Sequence, residues 1–443
     1  VARETAEFLA RDLFDGAFVS SLDADTDGAE GTTYVWTPAQ LRAALGDDDG
    51  RWAADLFGVT ERGTFEHGSS VLRLARDIDG AAPEVANRWR DVRDRLFAAR
   101  LRRSQPGRDD KVVAAWNGLA ITALAEFSAL ARVSALTDSS APVGSSVPGD
   151  SGAPAAFSTH ADSSAPAESP VPADSSGPVV GRGTTVAAAD REQAELARAA
   201  AEAQRVAGAA ASLLADLHIV DGRLRRTSRD GVVGEPVGVL EDYGCVAEAF
   251  CAMHQLTGEG RWLTLAGELL DVALERFADG KGGFFDTADD AERLITRPAD
   301  PTDNATPSGS SALAAALTAY SALTGEIRYR EVAERAVESV APVIARHARY
   351  AGYSATTAEA LLSGPYEIAI ATDRPDGDLL VAAARRLAPP GAVIVVGAPD
   401  APGVPLLSGR LMVNGLPTAY VCRSFVCDRP VTTVDDLAAL LAT

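Results

Sequence analysis

The sequence predicts a mainly α fold, an α/α toroid of helical hairpins followed by a small C-terminal α/β element. Three observations predict it. Leu256-Thr-Gly-Glu-Gly-Arg-Trp262 returns as Leu323-Thr-Gly-Glu-Ile-Arg-Tyr329, an offset of 67 residues (256 to 323). The same offset carries Val246, Phe250, Met253 and Leu256 onto Leu313, Leu317, Tyr320 and Leu323. An offset of 126 (120 to 246) leads back to a third copy at Ala120, Leu124, Phe127 and Leu130. Beyond residue 365 this helical period gives way to short apolar runs.

The i, i+4, i+7, i+10 spacing marks one face of an amphipathic helix. Each Leu-Thr-Gly predicts a helix end with glycine as the left-handed cap, and a second helix follows, with Ala266 and Ala333 again 67 apart. Hairpins repeated at about 60 residues predict a ring more than an open solenoid. The two offsets differ by 59 (126 against 67), close to the length of the stretch 138–185. That stretch collapses to Ser, Pro, Ala, Gly, Asp and Val, and Asp138-Ser-Ser-Ala-Pro142 recurs as Asp162-Ser-Ser-Ala-Pro166. It cannot bury enough apolar area to offset its ordering entropy, so it reads as a disordered insert at the turn of the third hairpin. A binding or mucin-like role is the alternative.

Short glycine-containing ribbons are predicted at Asp15–Phe18, Asp221–Leu224 and Gly282–Phe285. The toroid is assigned to 1–137 and 186–365. The α/β element takes 366–443, with strands at Tyr366–Ala371 and Ala392–Val396 around a helix near Asp378–Leu387, a strand within Val413–Cys422 and a closing helix at Val434–Leu441. The chain opens inside a helical pattern (Phe8, Leu9, Leu13), which predicts a fragment whose upstream part is missing and a toroid incomplete at its N-terminus.

Composition bounds the function. Of 443 residues 47% are hydrophobic, enough for a large core, and no apolar run has the roughly 18 residues of a membrane span. The net charge of -21 argues against nucleic acid and anionic membranes as partners. Lys111 and Lys281 are the only lysines. An acidic, lysine-poor surface predicts a salt-adapted protein, and four cysteines are too few for a disulfide scaffold, which points to a reducing cytoplasm. Cys245 and Cys251 read as core. Cys422 and Cys427 read as buried thiols, with a redox pair or a metal half-site as alternatives; no metal and no cofactor is otherwise indicated. Walker, dinucleotide, zinc-protease and nucleophile-elbow motifs are absent.

The offsets also align the helix starts. Asn117, Tyr243 and Ser310 share one position, Asp242 falls opposite Trp116, and Glu241 and Ser308 lie two residues before that shared position. A ring would gather Trp116, Asn117, Glu241, Asp242, Tyr243, Asp303, Asn304, Ser308 and Ser310 around one mouth, where free N–H groups and the helix dipoles are positive. Acids, amides and aromatics suit sugar recognition. The competing reading is plain: Asp242, Asn304 and Ser308 are ordinary capping residues and Trp116 is core.

Several segments together resemble the spermatogenesis-associated protein 20 / YyaL family. They are Asp109-x-Lys111-x4-Trp116-Asn117-Gly118-Leu119, Leu240-Glu-Asp-Tyr243, Gly282-Gly-Phe-Phe285 and Pro307-Ser-Gly-Ser310. Asp23-Ala-Asp25 with Glu30-Gly31 and Tyr34-Val-Trp36-Thr37 is similar to its acidic segment, and Ala419–Cys422 through Cys427-x2-Pro430 to its C-terminal signature. The resemblance implies a thioredoxin-like domain upstream, as a possible partner, and a six-hairpin, glycosidase-like (α/α)6 toroid. Ser308-Gly-Ser-Ser311 departs from the family, which has Asn before the last Ser.

Two carboxyl groups flanking a bond would serve glycoside hydrolysis, and Asp242, Asp303 and Asp25 are the catalytic candidates. Asp23, Glu30, Trp36, Lys111, Trp116, Asn117, Glu241, Tyr243, Asn304, Ser308 and Ser310 are the candidate substrate-binding groups for a small carbohydrate. Histidine-based epimerisation has less support, because His254 and His347 lie towards helix ends away from the mouth. A structural ion pair with Asp109 or Asp110 is the competing role for Lys111. The rival function is a non-catalytic scaffold for the thioredoxin-like domain.

Overall fold

The computed structural model describes residues 1–137, 182–375 and 378–442, and the chain is mainly α, with thirteen α-helices among the described residues. Helix α1 (Ala2–Phe8) passes through a π-helical turn (Leu9–Leu13) into the ribbon β1 (Phe14–Asp15) and β2 (Ala17–Leu22). An excursion then leaves the ribbon: the hairpin β3 (Asp25–Thr26) and β4 (Ala29–Glu30), then helices α2 (Pro38–Leu45), α3 (Asp47–Phe57) and α4 (Pro83–Leu101). It returns through β5 (Arg108–Val113), which pairs antiparallel with β2. The Asp23 N–H donates to the Gly107 carbonyl at 2.7 Å, so the excursion leaves and returns at one point.

The excursion carries a core of its own, with Trp36, Leu41, Leu45, Phe57, Val92 and Leu96 buried together. Its first helix begins at a capping box. Thr37 Oγ1 accepts from the Gln40 N–H, Gln40 Oε1 accepts from the Thr37 N–H, and Pro38 supplies the preset first turn. The sequence reading assigned 1–137 to the ring as one piece and did not set this cluster apart.

β5 runs directly into α5 (Ala114–Thr137), against which α6 (Arg182–Leu213) packs. Residues 138–181, most of the predicted insert, lie outside the described residues. Helix α6 ends as α1 does, in a π-helical turn (Leu214–His218) and a ribbon, β6 (Ile219–Val220) with β7 (Arg223–Leu224). The two-residue turn between these strands needs positive φ at both positions, and Asp221 and Gly222 supply it at 51° and 72°. β8 (Thr227–Arg229) and β9 (Val232–Val233) complete a five-stranded sheet in the order β1-β2-β5-β8-β9.

The repeated hairpins follow as α7 (Leu240–Thr257) with α8 (Gly260–Arg276) and α9 (Gly309–Thr324) with α10 (Ile327–His347), then a single helix α11 (Gly352–Ser363). Both predicted caps are present, Gly258 and Gly325 standing in the left-handed region at 72° and 86°. Trp262 and Tyr329, equivalent in the repeat, are each 1% exposed. The third copy fades at its end, where Leu130 is exposed beside the groove between α5 and the C-terminal element.

Helices α5, α7, α9 and α11 stand side by side as an inner row, with α6, α8 and α10 behind. Small residues set the spacing of that row. A Cβ at Gly118 would lie 2.5 Å from the Cys245 carbonyl oxygen, and one at Gly244 would lie 2.6 Å from the Leu313 nitrogen. The two offsets place Gly118, Gly244 and Ser311 at one repeat position, and Ser311 Oγ meets Ser354 Oγ of α11 at 2.7 Å.

The C-terminal element is the predicted α/β unit: β10 (Tyr366–Ala371), α12 (Leu379–Leu387), β11 (Val393–Gly397), β12 (Thr418–Arg423), β13 (Val426–Cys427) and α13 (Val434–Leu441). Its sheet runs β11-β10-β12-β13, with β10 and β11 parallel and the other pairs antiparallel. Cys422 and Cys427 stand directly opposite across β12 and β13 and form a disulfide. This corrects the reading as two buried thiols, because the cross-strand register brings their side chains together. Cys245 and Cys251 are free and buried, as read. Among the described residues no helix is long and apolar enough to cross a membrane.

Candidate active site

The starts of α5 and α7 are bonded to each other, and that of α9 to the start of α11. Asp242, in the first turn of α7, is fully buried. Its Oδ2 accepts from the Val239 N–H at 2.9 Å and from Arg226 at 3.1 Å, and its Oδ1 accepts from the Ala115 N–H at the start of α5 at 3.0 Å. Burial pushes its pKa up to about 6, with Arg226 and the two N–H groups opposing. All three partners donate, so the carboxylate is the form that satisfies them.

Asp303 does the same one hairpin on. Oδ1 accepts from the Ser308 N–H at 2.9 Å and Oδ2 from the Tyr353 N–H at 2.8 Å, tying the starts of α9 and α11. Ser308 caps α9 by accepting from the Ser311 N–H at 3.1 Å. Asn117 is buried, taking the Phe18 N–H at 2.7 Å and donating to the Phe18 and Val113 carbonyls at 2.8 and 3.0 Å. Tyr243 is buried and its hydroxyl accepts from the Leu224 N–H at 3.0 Å. Ser310 is buried, Asn304 is exposed, and Glu241 is partly buried with Arg226 at 3.9 Å.

Asp242, Asp303, Asn117 and Tyr243 spend their polar atoms largely on this chain's own backbone. Trp116 is 45% exposed, which removes the reading as core. Lys111 pairs with Asp109 at 3.1 Å. Trp36 belongs to the excursion's core, with the Arg103 guanidinium 3.8 Å over its ring. Asp23, Asp25 and Glu30 are exposed at the root of the excursion, Asp25 and Glu30 facing each other across β3 and β4. None of these three lines the cavity described next.

That cavity, of about 480 Å³, lies farther along the inner row and is walled by all four inner helices and β11. Glu126 and Thr122 of α5, Glu248 and Gln255 of α7, Thr318 of α9 and Tyr353 of α11 bring their polar groups to a wall otherwise built largely of alanine. The Tyr353 hydroxyl donates to the Glu248 carboxylate, at 2.9 and 2.8 Å from its two oxygens. Burial, with the Glu126 charge adding to it, pushes the Glu248 pKa up to about 7, against the pull of Tyr353. Protein packed around Glu126 raises its pKa too, with Arg385 opposing. His218 and His254 are buried elsewhere, bonded to the Arg225 and Glu259 carbonyls.

Glu126 and Glu248 escaped the sequence reading, although a signal existed. Each is the one charged residue in a helical run of apolar and small side chains, Gly118–Ala131 and Gly244–Met253. A carboxylate held there without a basic neighbour in the run marks a cavity wall or a buried bond. Because the folded state holds the Glu248 proton more tightly than the unfolded chain, its contribution to stability is full below about pH 4.5 and is lost as pH rises through 7. Glu248→Gln is expected to flatten the stability profile across that window by at most about 3 kcal/mol, as measured by urea denaturation at stepped pH. An unchanged slope would refute the assignment.

No family model matches the chain. The curated relatives found are spermatogenesis-associated protein 20 from Homo sapiens, Mus musculus and Rattus norvegicus, 24%, 22% and 23% identical over 100% of this chain. The chain spans about half the length of each, 54%. Among solved structures, the cellobiose 2-epimerase from Spirochaeta thermophila DSM 6192 aligns with 35% of this chain and 40% of its own, at 22% identity and a TM-score of 0.28. That overlap is too slight to carry an argument. The similarity that the rim motifs first indicated extends over the whole chain: it resembles the spermatogenesis-associated protein 20 family.

Proposed function

We propose that the inner cavity binds a small polyhydroxylated ligand of the carbohydrate class, and that Glu248 and Glu126 are the acid–base pair of any turnover there. One observation carries this reading: two carboxyl groups with raised pKa face one cavity beside hydroxyl and amide side chains. A carboxyl near its midpoint at neutral pH can donate to a sugar oxygen in one step and accept in the next. The titratable groups that the described wall does present include Glu126, Glu248 and Tyr353, which supports carboxyl chemistry.

The second reading is a non-catalytic scaffold for a thioredoxin-like domain. It is favoured by the rim, whose acids and amides are occupied by this chain's own N–H and C=O groups. A thermal-shift screen against mono- and disaccharides in molar KCl separates the two. A ligand at a hundred times its Kd adds about 2.7 kcal/mol, or roughly 2–4 °C for a protein of this size. The expected result is such a shift in the parent and none in Glu248→Gln. No shift with any sugar, in folded protein, selects the scaffold.

The charge of -21 supports salt adaptation. The melting temperature is expected to rise steadily from low salt to molar KCl as self-repulsion is screened. A melting temperature independent of KCl would overturn that reading.

A further inference from the structure

We infer that the Cys422–Cys427 disulfide is a reversible thiol-exchange site for a dithiol partner, with Cys427 as the attacked sulfur and Cys422 as the leaving group. The two sulfurs are unequally placed. Cys422 is fully buried in β12, whereas Cys427 is exposed on the edge strand β13. Among the described residues the edge faces no further strand, so a partner's thiolate reaches Cys427 first.

Arg410 reaches both sulfurs. Its Nη2 lies 3.1 Å from Cys422 Sγ and 3.5 Å from Cys427 Sγ, and its Nη1 is buried without a hydrogen-bond partner. The half-buried Arg410 has the Glu367 carboxylate as a charged neighbour but no carboxylate in direct contact, so a thiolate at Cys422 would be the anion touching its guanidinium. The other charged or titratable groups around it are few. Glu367, opposite Cys422 on β10, is buried and takes the Phe425 N–H. Arg330 donates to Ser424, Arg423 lies over the Tyr366 ring, and Tyr420 lies beneath Arg410 with its hydroxyl on the Leu411 carbonyl. The cation nearest the sulfur pair is thus Arg410.

The step balances as ordinary exchange. The partner's thiolate forms a bond to Cys427 Sγ as the Cys422–Cys427 bond breaks, and its electron pair leaves on Cys422 Sγ beside Arg410. The partner's second thiol, as thiolate, then displaces Cys427. The partner ends as the disulfide and this chain as the dithiol, two electrons having passed.

The test uses the full chain with a thioredoxin whose resolving cysteine is replaced by serine, which stalls the exchange at the mixed disulfide. Peptide mass spectrometry is expected to find the adduct on Cys427. An adduct on Cys422, or none under conditions where dithiothreitol also fails to reduce the folded protein, overturns the proposal. Arg410→Gln is expected to slow reduction by dithiothreitol about tenfold, the effect of a leaving thiol whose pKa rises by about two units. Equal rates would remove Arg410 from the account. Should that variant fold poorly, Cys427→Ser decides the same point. The thiolate ultraviolet absorbance of Cys427→Ser, less that of the Cys422→Ser/Cys427→Ser double variant, should report against pH a Cys422 pKa below the ordinary value of about 8.5, and a pKa at or above that value contradicts the assignment.

Discussion

Asp242→Ala is expected to lower the unfolding free energy by about 4 kcal/mol. Three donors depend on this carboxylate. Two are backbone N–H groups at the starts of α5 and α7; the Ala115 N–H would be left buried without a partner at a cost of about 1–3 kcal/mol, and the half-buried Val239 N–H would lose its acceptor. The third is Arg226, which would lose its closest carboxylate. Asp242→Asn keeps the shape and one acceptor oxygen, so a loss of about half that size is expected. Urea denaturation followed by far-UV circular dichroism measures both. An alanine variant within about 1 kcal/mol of the parent would show that the cap is dispensable.

Gly244→Ala follows, at about 3 kcal/mol. The added Cβ would sit 2.6 Å from the Leu313 nitrogen and 2.7 Å from the Ala312 carbonyl carbon, both backbone atoms that no rotamer change can move. Helices α7 and α9 would have to separate, and with them Glu248 and Thr318 across the cavity. Any ligand affinity should therefore fall together with the melting temperature. Gly208→Ala is the control. It too lies within a helix, but its nearest neighbour would be the end of the Met253 side chain at 3.8 Å. There the gain in helix propensity, about 1 kcal/mol, should prevail. If both glycines tolerate alanine equally, close approach does not set the spacing of the inner row.

What the sequence displayed was whatever repeats locally. The two Leu-Thr-Gly ends, the buried face through Val246 and Phe250, and the strand–helix–strand order of the tail all depend on neighbours a few residues apart. The partners of the rim do not. Asn117 bonds to Phe18, Asp242 to Ala115 and Asp303 to Tyr353, each across a long stretch of chain. Those residues were legible as a cluster, whereas their occupation by backbone was not.

The same limit hid the cavity. Glu126 and Glu248 meet only because α5 and α7 stand side by side, and Tyr353 reaches Glu248 from a helix with no counterpart in the repeat. The cross-strand pairing of Cys422 and Cys427 likewise depends on a tight turn through Ser424 and Phe425, both at positive φ although neither is glycine. Spacing alone carries no trace of that conformation.

The hydrogen bond between Asp23 and Gly107 closes the root of the region between them, whose helix α4 also reaches α1 through the Arg93–Glu4 ion pair. Both ends enter the sheet at one place, so removing everything between them and closing the gap with a short turn would leave β2 and β5 in register. Conversely, a foreign domain with adjacent termini could be exchanged for it without bending the row of helices behind. A protease cut within its loops would leave both pieces anchored, and force applied to α4 would be shared between the two adjacent strands and the Arg93–Glu4 contact with α1.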